Sequence, residues 1–302
     1  MGQGSEPDHT GPLAQPSFVV LRPSSGAPCP AGAAQLRLED PSRLVVTTSG
    51  GAGQGLRPQA LAWAERLGAR FVPRDRRALA RLCAEAQADE ALVVGPDRVV
   101  YVRPAEALEY FYHPGMAQPR LRSLQAGQRD PMLEALGLRP GLLVLDGTLG
   151  RGSDAIVAAH AVGAEGGVLG IEASRVVALL TAAGLAAYAG GSRLLRTAMR
   201  GIGVVWGDHL ELLHHLPDAS YDVVYFDPLF DCPVEASQAM VALRAVAEQR
   251  PLRAEALAEA ARVARRRVVV KQRRGTALWA EWPPAETVGG KGSRVEYGVL
   301  RV

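Results

Sequence analysis

The chain has 302 residues, 48% of them hydrophobic and 22% charged, with a net charge of +3. That length holds one large domain plus a smaller one, and the hydrophobic share is that of an ordinary globular protein. No apolar run reaches the roughly 18 uninterrupted residues of a membrane span. The best candidate, residues 155–171, is broken by His160 and Glu165. The first 17 residues contain Glu6 and Asp8 and no apolar block, which does not read as a signal peptide, so a cytoplasmic location is expected. Cys29, Cys83 and Cys232 are odd in number and far apart, so neither a disulfide framework nor a metal site is expected. The small basic excess permits an anionic partner without requiring one. Of 34 basic residues only Lys271 and Lys291 are lysines. A bias toward arginine accounts for most of this, but the two exceptions point to positions that need a compact, single-point cation.

Residues 1–42 are rich in Pro and Gly and read as a mostly irregular N-terminal tail with one short apolar run, Phe18-Val-Val-Leu21. Residues 43–118 read as a small α/β domain. Its elements are a strand at Arg43–Thr48, a helix from Pro58 to Leu67, a short strand at Arg70–Val72, a helix from Arg76 to Ala86, and strands Ala91–Val94 and Arg98–Val102 around the turn Gly95-Pro96-Asp97. The glycine cluster at residues 50–53 has neither dinucleotide nor P-loop spacing and reads as a connection. Tyr110-Phe-Tyr112-His-Pro then gathers aromatics beside Arg120, Arg122 and Arg129. Two readings stay open. Tyr112 and Arg122 could stack on bases and hold phosphates of a single-stranded nucleic acid, or the stretch is an inter-domain seam with solvated arginines.

Residues 119–302 alternate strand and helix, which implies a parallel sheet covered on both faces, with ligands at the strands' carboxyl ends. Asp130 and Pro131 open a helix that ends at Gly137. Leu142–Leu145 is a buried strand that ends in Asp146-Gly147-Thr148-Leu-Gly150-Arg-Gly152, and Ser153-Asp154 can cap the helix that follows. This is the opening unit of a nucleotide-type site, in which glycines allow backbone approach and a helix N-terminus supplies positive potential. Glu172 ends the second strand, where an acid faces a ribose, its two oxygens accepting from adjacent hydroxyls. Asp208 ends the third strand and could accept from an adenine amino group. His209, His214 and His215 lack metal-ligand spacing and read as packing or surface residues. Asp227-Pro228-Leu-Phe230 ends a central strand. Asp227 and the Pro228 carbonyl could accept the two protons of an exocyclic amine while Phe230 stacks on its ring.

As a set, Asp146–Gly152, Glu172, Asp208 and Asp227–Phe230 resemble a class I S-adenosylmethionine (SAM)-dependent methyltransferase. More narrowly, Leu145–Gly150, Asp154-Ala, Tyr225–Phe230, Val268–Lys271 and Lys291-Gly-Ser-Arg294 resemble the bacterial 16S rRNA guanine-N2 methyltransferase family and its uncharacterised Gram-positive relatives. The resemblance covers residues 130–302. It implies a Rossmann-like seven-stranded sheet with a reversed last strand, SAM on the Asp146 loop, and the target amine at Asp227. Leu229 departs from the second proline common in amino-methylating sites, and the front domain does not obviously match. Lys271, Lys291 and Arg294 would lie on the ligand face, holding substrate phosphate or orienting the acceptor. The expected activity is therefore methyl transfer to a nitrogen, an exocyclic base amine in rRNA. The arginines of 120–129 and 262–274 would supply an electrostatic footprint. The alternatives are methylation of a protein or small molecule, and a non-catalytic cofactor-binding regulator.

Overall fold

A computed structural model describes residues 19–22, 43–51, 54–228, 238–247, 251–290 and 292–302. Among them no helix is long and apolar enough to cross a membrane. The first strand, β1 (Val19–Arg22), lies inside the stretch read as an irregular tail. It pairs antiparallel with residues 204–206, so the short apolar run noted there covers a sheet edge.

A five-stranded sheet follows. It is built from β2 (Leu44–Thr48), helix α1 (Arg57–Leu67), β3 (Arg70–Phe71), helix α2 (Leu79–Glu85), β4 (Glu90–Val94), β5 (Val99–Arg103) and β6 (Leu108–Phe111), in the order β3-β2-β4-β5-β6. The expected helix from Arg76 begins only at Leu79, because Asp75 and Arg76 take left-handed φ values of 44° and 60°. Strand β6 was not foreseen, since Tyr110 and Phe111 read as candidate stacking residues rather than as an edge.

Helices α3 (Ala117–Gln125) and α4 (Pro131–Leu136) lead into the large sheet. Asp130 caps α4, accepting from Met132 N at 3.0 Å and Leu133 N at 3.2 Å, as its sequence suggests. The chain continues through β7 (Leu143–Asp146), α5 (Ser153–Val162), β8 (Gly167–Glu172), α6 (Arg175–Ala187), α7 (Arg193–Arg200), β9 (Ile202–Trp206), α8 (His209–His215) and β10 (Tyr221–Phe226). It ends with α9 (Gln238–Val246), α10 (Ala254–Val263), β11 (Ala264–Arg273), α11 (Leu278–Glu281), β12 (Glu286–Val288) and β13 (Val295–Arg301).

The strand order is β1-β9-β8-β7-β10-β11-β13-β12: the seven strands that the methyltransferase resemblance implies, plus β1 at the edge. Strands β9 to β11 run parallel, and β13 is antiparallel to β11 and to β12. Every residue of β8 is buried, as a strand covered on both faces should be. The chain steps outward from β7 through β8 to β9 and then returns to β7's other side as β10. A crevice opens at such a reversal, at the strands' carboxyl ends.

Register then positions the chemistry. Asp146 pairs with Tyr225, Phe226 with Val270, and Lys271 with Tyr297. Asp227, one step beyond Phe226, is therefore level with Lys271.

The small sheet does not stand apart. Leu44, Val46, Trp63 and Tyr110 share one hydrophobic cluster with Leu179 and Leu180 of α6 and Leu243 of α9. A unit of roughly 70 residues is marginal alone, and burial against the large sheet's helices supplies what it lacks.

Tyr112, just past β6, packs its ring against Gly184 of α6, where an added Cβ would lie 2.1 Å from a ring carbon. Gly184→Ala is expected to lower unfolding free energy in urea by about 1–3 kcal/mol through overpacking. Gly55→Ala, at a position with open space, is expected to change it by less than about 0.5 kcal/mol.

Candidate active site

The loop after β7 is held from both sides. Gly147 N donates to Tyr225 O at 2.8 Å, Leu149 N to Ile171 O at 2.9 Å and Gly152 N to Leu149 O at 2.7 Å. Thr181 Oγ1 donates to Gly150 O at 2.9 Å, and Thr148 Oγ1 accepts from Asp227 N at 2.6 Å. Only glycine fits at 147, because a Cβ there would lie 2.3 Å from the Phe226 ring. Gly150 and Gly152 adopt φ of 53° and 71°.

The loop borders a cavity of about 600 Å³, whose wall includes Asp146, Glu172, Asp208, Asp227, Pro228 and Lys271. The sequence-predicted loop residues Thr148, Gly150 and Asp154 also line it, as do Arg151, Met116 and Tyr297. Glu172 is buried at 7% exposure, with Oε2 accepting from Gly150 N at 2.9 Å and Oε1 from Ser174 N at 2.7 Å. Asp208 Oδ1 caps α8, accepting from Leu210 N at 2.9 Å and Glu211 N at 3.2 Å.

At the other end of the cavity three carboxylates share two cations. Lys271 Nζ lies 2.6 Å from Asp227 Oδ2 and 3.7 Å from Asp154 Oδ2. Tyr225 OH donates to Asp154 Oδ2 at 2.7 Å. Arg120, from α3, bonds Asp154 Oδ1 and forks onto Asp130 with Nε at 2.8 Å and Nη2 at 3.0 Å.

These surroundings set the protonation. Burial pushes Asp146 up to about 8, reinforced by the Asp154, Asp227 and Glu172 charges and opposed only in part by the Thr148 N–H. Burial likewise raises Asp227, to about 6, with Lys271 pulling down and Asp154 pushing up. Burial would also raise Asp154, but the Lys271 and Arg120 charges and the Tyr225 hydroxyl outweigh it and hold the carboxyl below its ordinary value. Lys271 is raised, since the Asp154 and Asp227 carboxylates overcome the burial that disfavours its charge. Tyr297 is pushed up to about 12, chiefly by burial.

Several expectations change. Ser153 and Asp154 do not cap α5: its N-cap is Gly152, without a side-chain bond. Ser153 Oγ instead donates to Pro114 O at 2.9 Å, and Asp154 turns into the charge cluster. Tyr112 does not face the cavity. It packs beside Tyr188 with ring centroids 6.1 Å apart, which favours the seam over the stacking reading. Arg122 and Arg294 are exposed and do not line the cavity. Phe230 and Lys291 lie outside the described residues. Arg262 and Arg267 serve the protein itself. Arg262 binds Asp218, Glu259 and the Leu213 and Leu216 carbonyls, and Arg267 Nη1 donates to Ala135 O at the end of α4.

Arg120, Asp130, Tyr225 and Tyr297 were not singled out as site residues. Arg120 stood in the sequence among arginines of equal standing, and only the path of α3 distinguishes it. Tyr225 could have been found from alternation, since it precedes Asp227 by one full strand period and so shares its face, whereas Tyr297 reaches the site through its pairing with Lys271 across strands.

Residues 80–298 match the model of the family described as "Putative SAM-dependent methyltransferase". A relative in Bacillus subtilis, the uncharacterized protein YpiP, is 43% identical over 202 residues, covering 67% of this chain and 77% of that protein. Ribosomal RNA small subunit methyltransferase J of Halorhodospira halophila is 36% identical over 177 residues, or 56% of this chain and 64% of that protein. Among solved structures, a SAM-dependent methyltransferase from Neisseria gonorrhoeae superposes with a TM-score of 0.54 at 20% identity, covering 85% of this chain and 95% of that one. That likeness shows a shared Rossmann-like methyltransferase fold.

The raised Asp146 yields a linkage test. Its folded-state value of about 8 exceeds the unfolded value of 3.8, so between these limits the unfolded chain gives up a proton that the folded one keeps, and stability falls as pH rises. Asp146→Asn cannot ionise. It is expected to stabilise the ligand-free protein on the order of 4 kcal/mol at pH 7 in urea unfolding, with a gain that grows from pH 5 to pH 8. A gain independent of pH would mean that Asp146 is ionised throughout.

Proposed function

Because the chain belongs to the SAM-dependent methyltransferase family, we propose that it moves a methyl group from SAM to a nitrogen, the exocyclic amine of a base in ribosomal RNA. The observation that carries the nitrogen acceptor is the placement of Asp227 and Pro228 on the wall of the cavity that the Asp146 loop borders. The RNA reading is supported by the 36% identical relative named as a small-subunit rRNA methyltransferase.

The residues present fit the cofactor. A cavity of about 600 Å³ is large enough for it, the backbone of Gly147 and Gly150 lies on its wall, and a fully enclosed Asp146 carboxyl becomes a favourable anion once a cation is beside it. When bound, SAM supplies an electrophilic methyl carried on a sulfonium. Asp146 and the backbone of Gly147–Gly152 would hold its charged methionine end, with Asp154 behind them. Glu172 would accept from the ribose hydroxyls, and Asp208 would sit at the adenine side with Oδ1 kept by the α8 cap.

The chain's further task is alignment. Asp227, with its side chain 27% exposed toward the cavity, would accept a hydrogen bond from one amine N–H and the Pro228 carbonyl from the other, which leaves the nitrogen lone pair for the methyl carbon, and the carboxylate can take the proton that the methylated nitrogen sheds. Lys271 fixes the carboxylate's position. Phe230, two residues further along, would stack on the base. Arg294, exposed and off the cavity wall, would meet substrate phosphate, and Lys291 would hold phosphate or orient the acceptor. A positioned amine facing an activated methyl needs no strong base.

Purified protein, methyl-labelled SAM and deproteinised small-subunit rRNA provide the direct assay, with modified nucleosides identified by mass spectrometry. The expected product is an N-methylated base. Asp227→Ala should lower transfer by about 10²-fold or more while SAM affinity stays within about fivefold; full activity in this variant, or label found only in protein, overturns the reading. Since the carboxylate form of Asp227 is the competent one and its value is about 6, kcat/KM should fall as pH drops through that value and level off above it.

A further inference from the structure

Asp227 does not face Lys271 alone. The groups around it are Asp146 at the end of β7, Asp154 on α5, Tyr225 on β10, Lys271 on β11 and Tyr297 on β13. Arg151, Asp208 and His209 line the same cavity. Lys271 can serve either of two carboxylates, and the distances show which one it serves: 2.6 Å to Asp227 against 3.7 Å to Asp154.

The reason lies on Asp154's other contacts. Its Oδ1 is taken by Arg120 and its Oδ2 by the Tyr225 hydroxyl. Arg120 reaches in from α3, outside the large sheet, and is itself locked by the two-pronged bond to Asp130. The segment leading to α3 is tied to the cofactor loop by the Ser153–Pro114 bond.

Resting on the methyl-transfer reading above, we propose that Arg120 is a positioning residue. By neutralising Asp154 from outside the sheet, it reserves Lys271 for Asp227 and so keeps the Asp227 carboxylate ionised and aimed at the acceptor amine. Without Arg120, Lys271 is left between Asp154 and Asp227 with no second cation on Asp154. Lys271 then moves toward Asp154, and Asp227 holds its proton to higher pH.

The test follows the Asp227 carboxyl carbon by NMR in protein labelled at aspartate Cγ, with the signal assigned through Asp227→Asn. No acceptor is required, so the result stands whether or not RNA is the substrate. Arg120→Met should raise the Asp227 midpoint by about one pH unit or more, and adding Asp154→Asn should bring it back down. Arg120→Gln keeps a polar amide at this position but loses the charge and the two-pronged reach, so it must shift in the same direction if Arg120→Met does not fold. Arg120→Lys should restore most of the original value. In the rRNA assay the acid limb of kcat/KM should move by the same amount, a displacement that mere loss of folded protein does not produce, since that scales the rate at every pH. An unchanged Asp227 midpoint in folded Arg120→Met or Arg120→Gln overturns the proposal. Absence of rRNA methylation by the wild type counts instead against the acceptor.

Discussion

Carboxylates gathered at the ends of parallel strands repel one another in a cleft that water enters poorly. Two unit charges 4 Å apart interact by about 4 kcal/mol at an effective dielectric of 20. Asp130, Asp154 and Asp227 are held together there because Arg120 and Lys271 are threaded between them. Asp146, whose carboxylate takes a backbone N–H from Thr148 instead, is the member that burial drives toward its neutral form. The arrangement thus has one acid supported for ionisation and another that favours a positive ligand. The proposed methyl transfer, with a neutral amine at one end and a cationic donor at the other, would use that asymmetry.

The fold exists to hold those groups at fixed spacing. Parallel register places Asp227 level with Lys271, and the antiparallel last strand brings Tyr297 beside Lys271. Tight contacts at Gly147 and Gly184 let the loop and the small sheet approach the large one. The small sheet's core continues into α6 and α9, so displacement of one sheet is felt by the helices that flank the cavity. Arg120 adds a second link, since α3 follows directly from β6 and carries its charge into the site.

Much of this was readable before any coordinates. The buried runs of β7, β8 and β10, the acids that end them and the glycine loop carry period and composition that leave few alternatives. What remained hidden depends on three-dimensional paths. Ser153 and Asp154 satisfy the local rule for a helix cap, but stronger partners arrive from Pro114, Arg120 and Tyr225, which lie 34 to 71 residues away. Tyr112 and Arg122 looked like a nucleic-acid surface because aromatic and basic residues adjoin there. Backbone direction turned the tyrosine into the core and Arg120, two residues earlier than Arg122, into the site. Helix α7, which Ser192 caps through Leu195 N, was not among the elements read from the sequence.

The central claim is that this active site methylates a base nitrogen in ribosomal RNA. The most direct measurement is mass-spectrometric mapping of 16S rRNA from cells that lack the protein, compared with the same cells carrying the wild-type gene. The account predicts one base methylation that is absent without the protein and restored by the wild type. Identical methylation maps in the two strains would contradict it.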